Sequence, residues 1–163
     1  MDLYEFLAAH EIGYQRFDHP AVFTCEEAAR LVPAEADAVH TKNLFLRDKK
    51  GRRHWLLVTS CAKAVDLRGV ADRIAADNLS LGSPDRLMKH LGVTPGAVTI
   101  LGLINDPEHL VELLIDRDVW AAPAIRSHPL VNTATLVLSH EGVERFCQVT
   151  GHPVKLVDVP VRA

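Results

Sequence analysis

Cysteine is scarce in this 163-residue chain, and the three that occur, Cys25, Cys61 and Cys147, are scattered and odd in number. Such usage predicts free thiols in a reducing, cytoplasmic setting. Positive charge is not in excess either: 18 basic residues stand against 21 acidic, a net charge of −3. A protein holding nucleic acid by its global field would be basic, so any such contact has to come from a local patch. Aromatic residues amount to 6%, too few for a stripe on which successive bases could stack. No apolar run approaches eighteen residues, which argues against a membrane span. The opening "MDLYEFLAAHEIGY", with Asp2 and Glu5, lacks the basic and apolar regions of a secretory leader, so none is expected.

Several catalytic signatures are missing too. No G-x-S-x-G elbow and no G-x-G-x-x-G phosphate loop occurs, and no cysteine sits in a recognisable nucleophile context. His128, His140 and His152 recur every twelve residues with Cys147 nearby, but zinc ligands pair at much shorter spacings, so no metal and no cofactor is expected. An enzyme with this inventory would position substrate and water rather than form a covalent intermediate.

What remains reads as one α+β domain over residues 1–163, a mixed, mostly antiparallel sheet flanked by helices. "DLYEFLAAHEI" has helical apolar spacing and ends at Gly13, and "YQRFDHP" reads as a short strand. Thr24 with Glu27 makes a capping-box pattern for a helix running to Pro33. "AVHTKNLFLRD" and "RHWLLVTSC" predict a hairpin joined by the basic turn "KKGRR". "AVDLRGVADRIAAD" and "SPDRLMKHLG" predict helices, the second with Ser83 as N-cap, Pro84 in the first turn and Gly92 as stop. "LVELLIDRDVW", "NTATLVLSH" and "PVKLVDVPV" predict strands, and "EGVERFCQVTG" a helix closed by Gly151.

Four features carry chemistry. His128, followed by Pro129 and with Asn132 four residues on, sits at the mouth of an apolar strand, where an imidazole could hold a polar substrate. Lys42 shares a strand face with Leu44 and Leu46, with Asn43, Phe45 and Arg47 on the other. It either snorkels to the rim or is a partly enclosed ammonium binding an ester carbonyl, phosphate or carboxylate. The turn cations Arg47, Lys49, Lys50, Arg52 and Arg53 form either a solvated tip or a phosphate-contacting patch. In "TPGAVTI", Gly96 allows a ligand to approach the backbone closely, and an amide there could serve as an oxyanion donor.

Taken in order, "DHPAVFTCEEA", "HTKNLFLRDKKG", "VDLRGVAD", "SLGSPDRLMKHLGVTPGAV", "GLIND" and "SHPLVNTATLVLS" resemble the YbaK/ProX-like prolyl-tRNA editing family, in its ProX branch. The resemblance covers nearly the whole chain. It implies a compact mixed α/β fold and free-standing hydrolysis of a mischarged aminoacyl-tRNA, most often alanine or a similarly small residue on tRNA-Pro. The implied partners are the acceptor end of the aminoacyl-tRNA and, transiently, prolyl-tRNA synthetase. The resemblance carries over Lys42, Asn43, Gly96 and His128. Together with the residue chemistry, the expected catalytic residues are Lys42, Gly96, Ala97 and His128, with Thr24, Asn43, Ile100 and Asn132 around the substrate and Arg47, Lys49, Lys50 and Arg52 toward the tRNA. Ile100 stands where the family's G-x-x-x-P loop has proline, a departure favouring an alternative: a non-catalytic module that binds aminoacyl-tRNA or an amino acid.

Overall fold

The computed structural model describes residues 2–31 and 38–163. The chain opens with α1 (Leu3–Ala9), whose N-cap Asp2 accepts hydrogen bonds from the amides of Tyr4 and Glu5, followed by β1 (Gln15–Asp18). Helix α2 (Cys25–Leu31) starts as the capping pattern predicts, with the Glu27 amide donating to Thr24 Oγ1 at 3.1 Å. The expected helix end at Pro33 lies outside the described residues.

The predicted hairpin forms from β2 (Ala38–Arg47) and β3 (His54–Ser60), antiparallel with Asn43 opposite Val58 and Arg47 opposite His54. Then come α3 (Leu67–Arg73), the short β4 (Ser80–Leu81) and α4 (Pro84–Leu91). Ser83 caps α4 by accepting from the Arg86 amide, and Gly92 stops it at φ 68°. The stretch "TPGAVTILGLIND" becomes two 3-10 turns, Pro95–Ala97 and Ile100–Asn105. Next are β5 (Val111–Asp116), α5 (Arg117–Trp120), β6 (Ala124–Ser127), β7 (Ala134–Ser139), α6 (His140–Thr150) and β8 (Val154–Val157).

Two local expectations are corrected here. "LVELLIDRDVW" is not one strand: β5 stops at Asp116, whose carboxylate accepts from the Asp118 amide and starts α5. The segment "AIRS", too short and too close to Pro123 and Pro129 to show strand periodicity, is β6.

The sheet runs β1-β7-β6-β2-β3-β5-β8, with β4 also paired to β2. The pairs β1/β7, β6/β7, β2/β3 and β2/β4 are antiparallel, while β2/β6, β3/β5 and β5/β8 are parallel. Both faces are covered. Phe45, Leu56 and Val58 join one core with Leu87, Leu91, Ile100 and Phe146. Leu46, Trp55 and Leu57 join a second core with Val70, Ile74 and Leu114. That is why β3 reads as an unbroken apolar run rather than an alternation. Each fully buried leucine contributes roughly 1.5–3 kcal/mol of transfer free energy, so both faces hold the hairpin in place.

The expectation of three free thiols is also overturned. Cys25, in the first turn of α2, and Cys61, just past β3, form a disulfide with Cα atoms 5.9 Å apart; only Cys147 is free. Thiols scattered in sequence meet because α2 folds back over the end of β3, a contact no local pattern encodes.

Candidate functional site

The parallel pairing of β2 with β6 sets Val39 beside Ile125 and His40 beside Arg126. The next residues of each strand therefore converge: Thr41, Lys42 and Asn43 from β2, Ser127 and His128 from the end of β6. Thr41 Oγ1 donates to the Arg126 carbonyl at 2.6 Å and ties the two together. Between them and the Pro95–Ala97 turn lies a cavity of about 170 Å³. Ligand sites for larger molecules are typically ~300–1,000 Å³, so this one suits a small group.

Of the residues singled out in the sequence, Lys42, Asn43, Thr24, Gly96 and His128 all line this cavity. The structure also adds residues that sequence reasoning missed: His40, Arg126, Ser127, Phe23 and the Cys25–Cys61 bridge. Ser127 is adjacent to His128 in "RSHP", but its strand was too short to be recognised.

His128 is half-buried, and its Nδ1 donates to the Ala134 carbonyl at 3.0 Å. The carbonyl can only accept, so Nδ1 carries the hydrogen and Nε2 keeps a lone pair in the neutral ring. Burial lowers the pKa of His128 below the ordinary histidine value, opposed by the Ala134 bond and assisted by nearby His19. His128 thus stands neutral near pH 7, able to accept a hydrogen bond.

Lys42 is half-buried at the wall, and its ammonium donates to the Lys63 carbonyl. Lys63 is itself anchored, its ammonium 2.7 Å from Asp116 and 2.9 Å from Asp118. Burial, with Arg162 nearby, lowers the Lys42 pKa. An ammonium placed this way retains hydrogens for an anion or carbonyl oxygen.

Asn43 Oδ1 and Ser127 Oγ are buried without a hydrogen-bond partner among the described residues, a costly arrangement unless a bound group supplies one. Gly96 gives the third wall. A Cβ there would come within 3.2 Å of both Asn132 Nδ2 and Phe23 Cδ1. No acceptor among the described residues takes the Gly96 amide hydrogen, so it remains available to an oxyanion.

Three of the implied site residues are placed otherwise. The Ala97 amide donates to the Thr94 carbonyl at 2.9 Å, and the residue is only 2% exposed, so it cannot serve as a second oxyanion donor. Ile100 does not touch the cavity: it is 1% exposed and packs in the core with Val58, Ile115 and Val119. The 3-10 turn that begins at Ile100 swings its side chain inward. Asn132 sits behind Gly96 and donates from Nδ2 to the Val22 carbonyl at 2.9 Å, holding the segment before α2 rather than facing the hollow.

The basic turn divides in two. Arg47 donates to the carbonyls of Asp48 and Lys49, and Arg53 pairs with Glu112 at 2.9 Å while lying over Trp55. The side chains of Lys49, Lys50 and Arg52 have no partner among the described residues and project outward at the far end of the hairpin. The histidines once grouped by spacing separate: His152 pairs with Asp106 at 2.9 Å, His140 packs on Trp120, and His128 faces the cavity. No cluster of three or more metal-ligating side chains occurs among the described residues. No described helix is long and apolar enough to cross a membrane.

Comparison with known proteins supplies the context for this geometry. A family model described as the aminoacyl-tRNA editing domain matches residues 19–146. The chain is 37% identical over 149 residues to the prolyl-tRNA editing protein ProX of Acetoanaerobium sticklandii, covering 91% of this chain and 90% of that one. It is 36% identical over 153 residues to prolyl-tRNA synthetase associated domain-containing protein 1 of Danio rerio, covering 93% and 82%. A solved protein described as a candidate trans-editing enzyme for prolyl tRNA synthetase shares the fold with a TM-score of 0.69 at 21% identity, covering 91% of this chain and 89% of that one.

Proposed function

The chain belongs to the aminoacyl-tRNA editing domain family, and on that premise we propose that it hydrolyses the ester of mischarged aminoacyl-tRNA carrying alanine or another small residue on a proline tRNA. The observation that supports this reading is the shared cavity of about 170 Å³ into which Lys42, Asn43, Gly96 and His128 all converge.

An aminoacyl ester is already reactive, so its hydrolysis needs a placed water, stabilisation of the developing oxyanion and exclusion of larger groups. The Gly96 amide and the Lys42 ammonium are the donors for the carbonyl oxygen as it gains charge. Asn43 Oδ1 and Ser127 Oγ, both without partners among the described residues, accept from the substrate's α-ammonium. His128 Nε2 accepts from the attacking water or from the neighbouring ribose hydroxyl, which in turn relays the proton. None of these steps needs a covalent intermediate.

Selectivity follows from size. An apolar wall that includes Val22, Phe23 and Val98 meets the substrate side chain, and such a pocket rejects an oversized group by clash far better than an undersized one. Proline is spared because its ring does not fit beside that wall. The non-catalytic alternative rested on Ile100, and Ile100 does not reach the cavity.

The deciding experiment is release of amino acid from a panel of alanyl-, seryl-, cysteinyl-, 2-aminobutyryl- and prolyl-tRNA. Alanyl-tRNA should be hydrolysed fastest and prolyl-tRNA should survive. Tight binding with no turnover on any member would sink the enzyme and restore the binding module.

A further inference from the structure

A second cavity, about 460 Å³, lies at the opposite end of the β2–β3 hairpin, between its turn and α4. Gly51, Arg52, His54, Arg86, Lys89 and His90 line it. The proposed reaction uses none of them.

Arg86 is its organising group. Nη1 of its guanidinium lies 3.0 Å from the Gly51 carbonyl and 3.0 Å from His54 Nε2. A guanidinium has only donors, so His54 Nε2 must offer its lone pair and the imidazole must be neutral. Burial, then the neighbouring His90 and Arg86, push the His54 pKa down to about 4, in keeping with that assignment. His54 is only 5% exposed and is held between Phe45, stacked at 5.5 Å, and His90 at 4.4 Å. Gly51 adopts φ 67°, and a Cβ there would come within 2.6 Å of Arg86 Nη2. Glycine is therefore needed twice at this position, for the turn and to let the guanidinium lie against it.

Both Nη1 hydrogens are spent on these acceptors. The remaining edge, Nε with Nη2, has no partner among the described residues, and no carboxylate pairs with Arg86, Arg52 or Lys89. That edge is the planar fork suited to two oxygens of one phosphate or carboxylate. Asp48, the acidic residue of the turn, is engaged by the amides of Arg52 and Arg53 at 2.8 and 3.1 Å. Asp85 is the other carboxylate at the cavity and is exposed. Arg52 and Lys89 add positive charge at the rim, and Lys49 and Lys50 continue it outward. A guanidinium preorganised in this way, facing a cavity dominated by cations, is an anion seat.

The occupant is indicated by position. Asn43 at the first cavity and Arg47, which pairs with His54 at the second, are four residues apart on β2, or about 13 Å at 3.3 Å per residue. A stacked strand advances about 3.4 Å per nucleotide, so one nucleic acid can reach both places. We infer that the Arg86 cleft seats a backbone phosphate of the tRNA acceptor arm while the esterified 3′ end occupies the first cavity. This rests on the editing reading above and extends it to how the arm is held.

The test compares wild type with Arg86→Lys, which keeps the charge but loses the fork, on alanyl-tRNA and on alanine esterified to adenosine alone, which has no backbone phosphate. Expected results for Arg86→Lys are a KM for the tRNA raised about tenfold, an unchanged kcat and an unaltered rate on the adenosine ester. Arg86→Gln, which removes the charge, should also reduce the salt slope of tRNA binding by about one. Inorganic phosphate should shift the ring-proton resonances of His54 and His90 and compete with tRNA in wild type only. An unchanged KM in folded Arg86→Lys overturns the assignment, as does an unchanged salt slope in folded Arg86→Gln or an equal loss on both esters, which would mark Arg86 as structural. Phosphate binding that leaves tRNA affinity untouched would instead give the cleft to free phosphate and overturn the nucleic-acid assignment. Should Arg86→Lys fail to fold, Lys89→Gln on the exposed rim takes its place, with about a threefold rise in KM expected and no rise overturning the inference. If wild type hydrolyses neither ester, the editing reading fails on its own; affinity for uncharged tRNA in the same variants still decides the cleft.

Discussion

Cys25 and Cys61, 36 residues apart in sequence, are joined by a disulfide, and both residues line the cavity that holds Lys42 and His128. The bridge ties the first turn of α2 to the end of β3 and so closes one wall of the site. In the unreduced, denatured protein a thiol reagent should find one cysteine, Cys147, and after reduction three. Burial pushes the Cys147 thiol up to about 12, so it should be silent in the native state. Replacing both bridge cysteines by serine should lower stability by about 4 kcal/mol, the chain-entropy value for a loop of this length, read as a shifted denaturant midpoint. Three reactive thiols before reduction would remove the bridge from the fold.

Lys42→Ala should leave the circular dichroism and melting profile close to wild type while reducing kcat on alanyl-tRNA by about 10²–10³, the usual cost of one oxyanion donor. Wild-type turnover by this variant on every small aminoacyl-tRNA would refute the role given to the ammonium.

The His128 pKa lies below the ordinary histidine value. The ring acts as an acceptor only when neutral, so kcat/KM should hold steady as pH falls to 6.5 and decline only in more acid solution. His128→Gln should lose about 10²-fold in kcat and flatten that acid limb. A wild-type decline beginning above pH 7 would contradict the lowered pKa.

Ile100 packs in the core with Ile115 and Val119, away from the cavity. Ile100→Val should therefore cost about 1 kcal/mol of stability and leave the order of preference among aminoacyl-tRNAs unchanged. A change in that order would place the residue at the substrate after all.

His54, nearly buried and accepting from Arg86, has its pKa lowered from 6.5 to about 4. The unfolded chain takes up this proton more readily than the native one, so the stabilisation is complete above pH 6.5 and is lost as pH falls toward about 4. At ~1.36 kcal/mol per pKa unit the loss is about 3 kcal/mol at most. His40, His90 and His128 are shifted in the same direction and steepen the slope. Unfolding midpoints measured between pH 7 and 4 should fall less in His54→Phe than in wild type; equal slopes would show that His54 is not held neutral by the fold.

The sequence by itself determined the features made by neighbours a few residues apart. Ser83 and Gly92 bounded α4, Thr24 with Glu27 began α2, and two apolar runs around "KKGRR" made a hairpin, because caps and tight turns are settled by short-range hydrogen bonds and backbone preference. Residue chemistry and the order of the motifs singled out Lys42, Gly96 and His128, whereas the alternation that assigned Lys42 and Asn43 to opposite strand faces did not show that both line one cavity. Tertiary structure decided everything that depends on which distant segments meet. Parallel pairing of β2 with β6 brought Ser127 and His128 to Lys42, α2 brought Cys25 to Cys61, and a 3-10 turn spent the Ala97 amide and turned Ile100 inward. The Arg86 clamp on Gly51 and His54 likewise joins residues more than thirty positions apart. Such contacts leave no periodic trace in either partner's sequence, because each segment is chosen for its own packing and the match between them exists only once the sheet has closed.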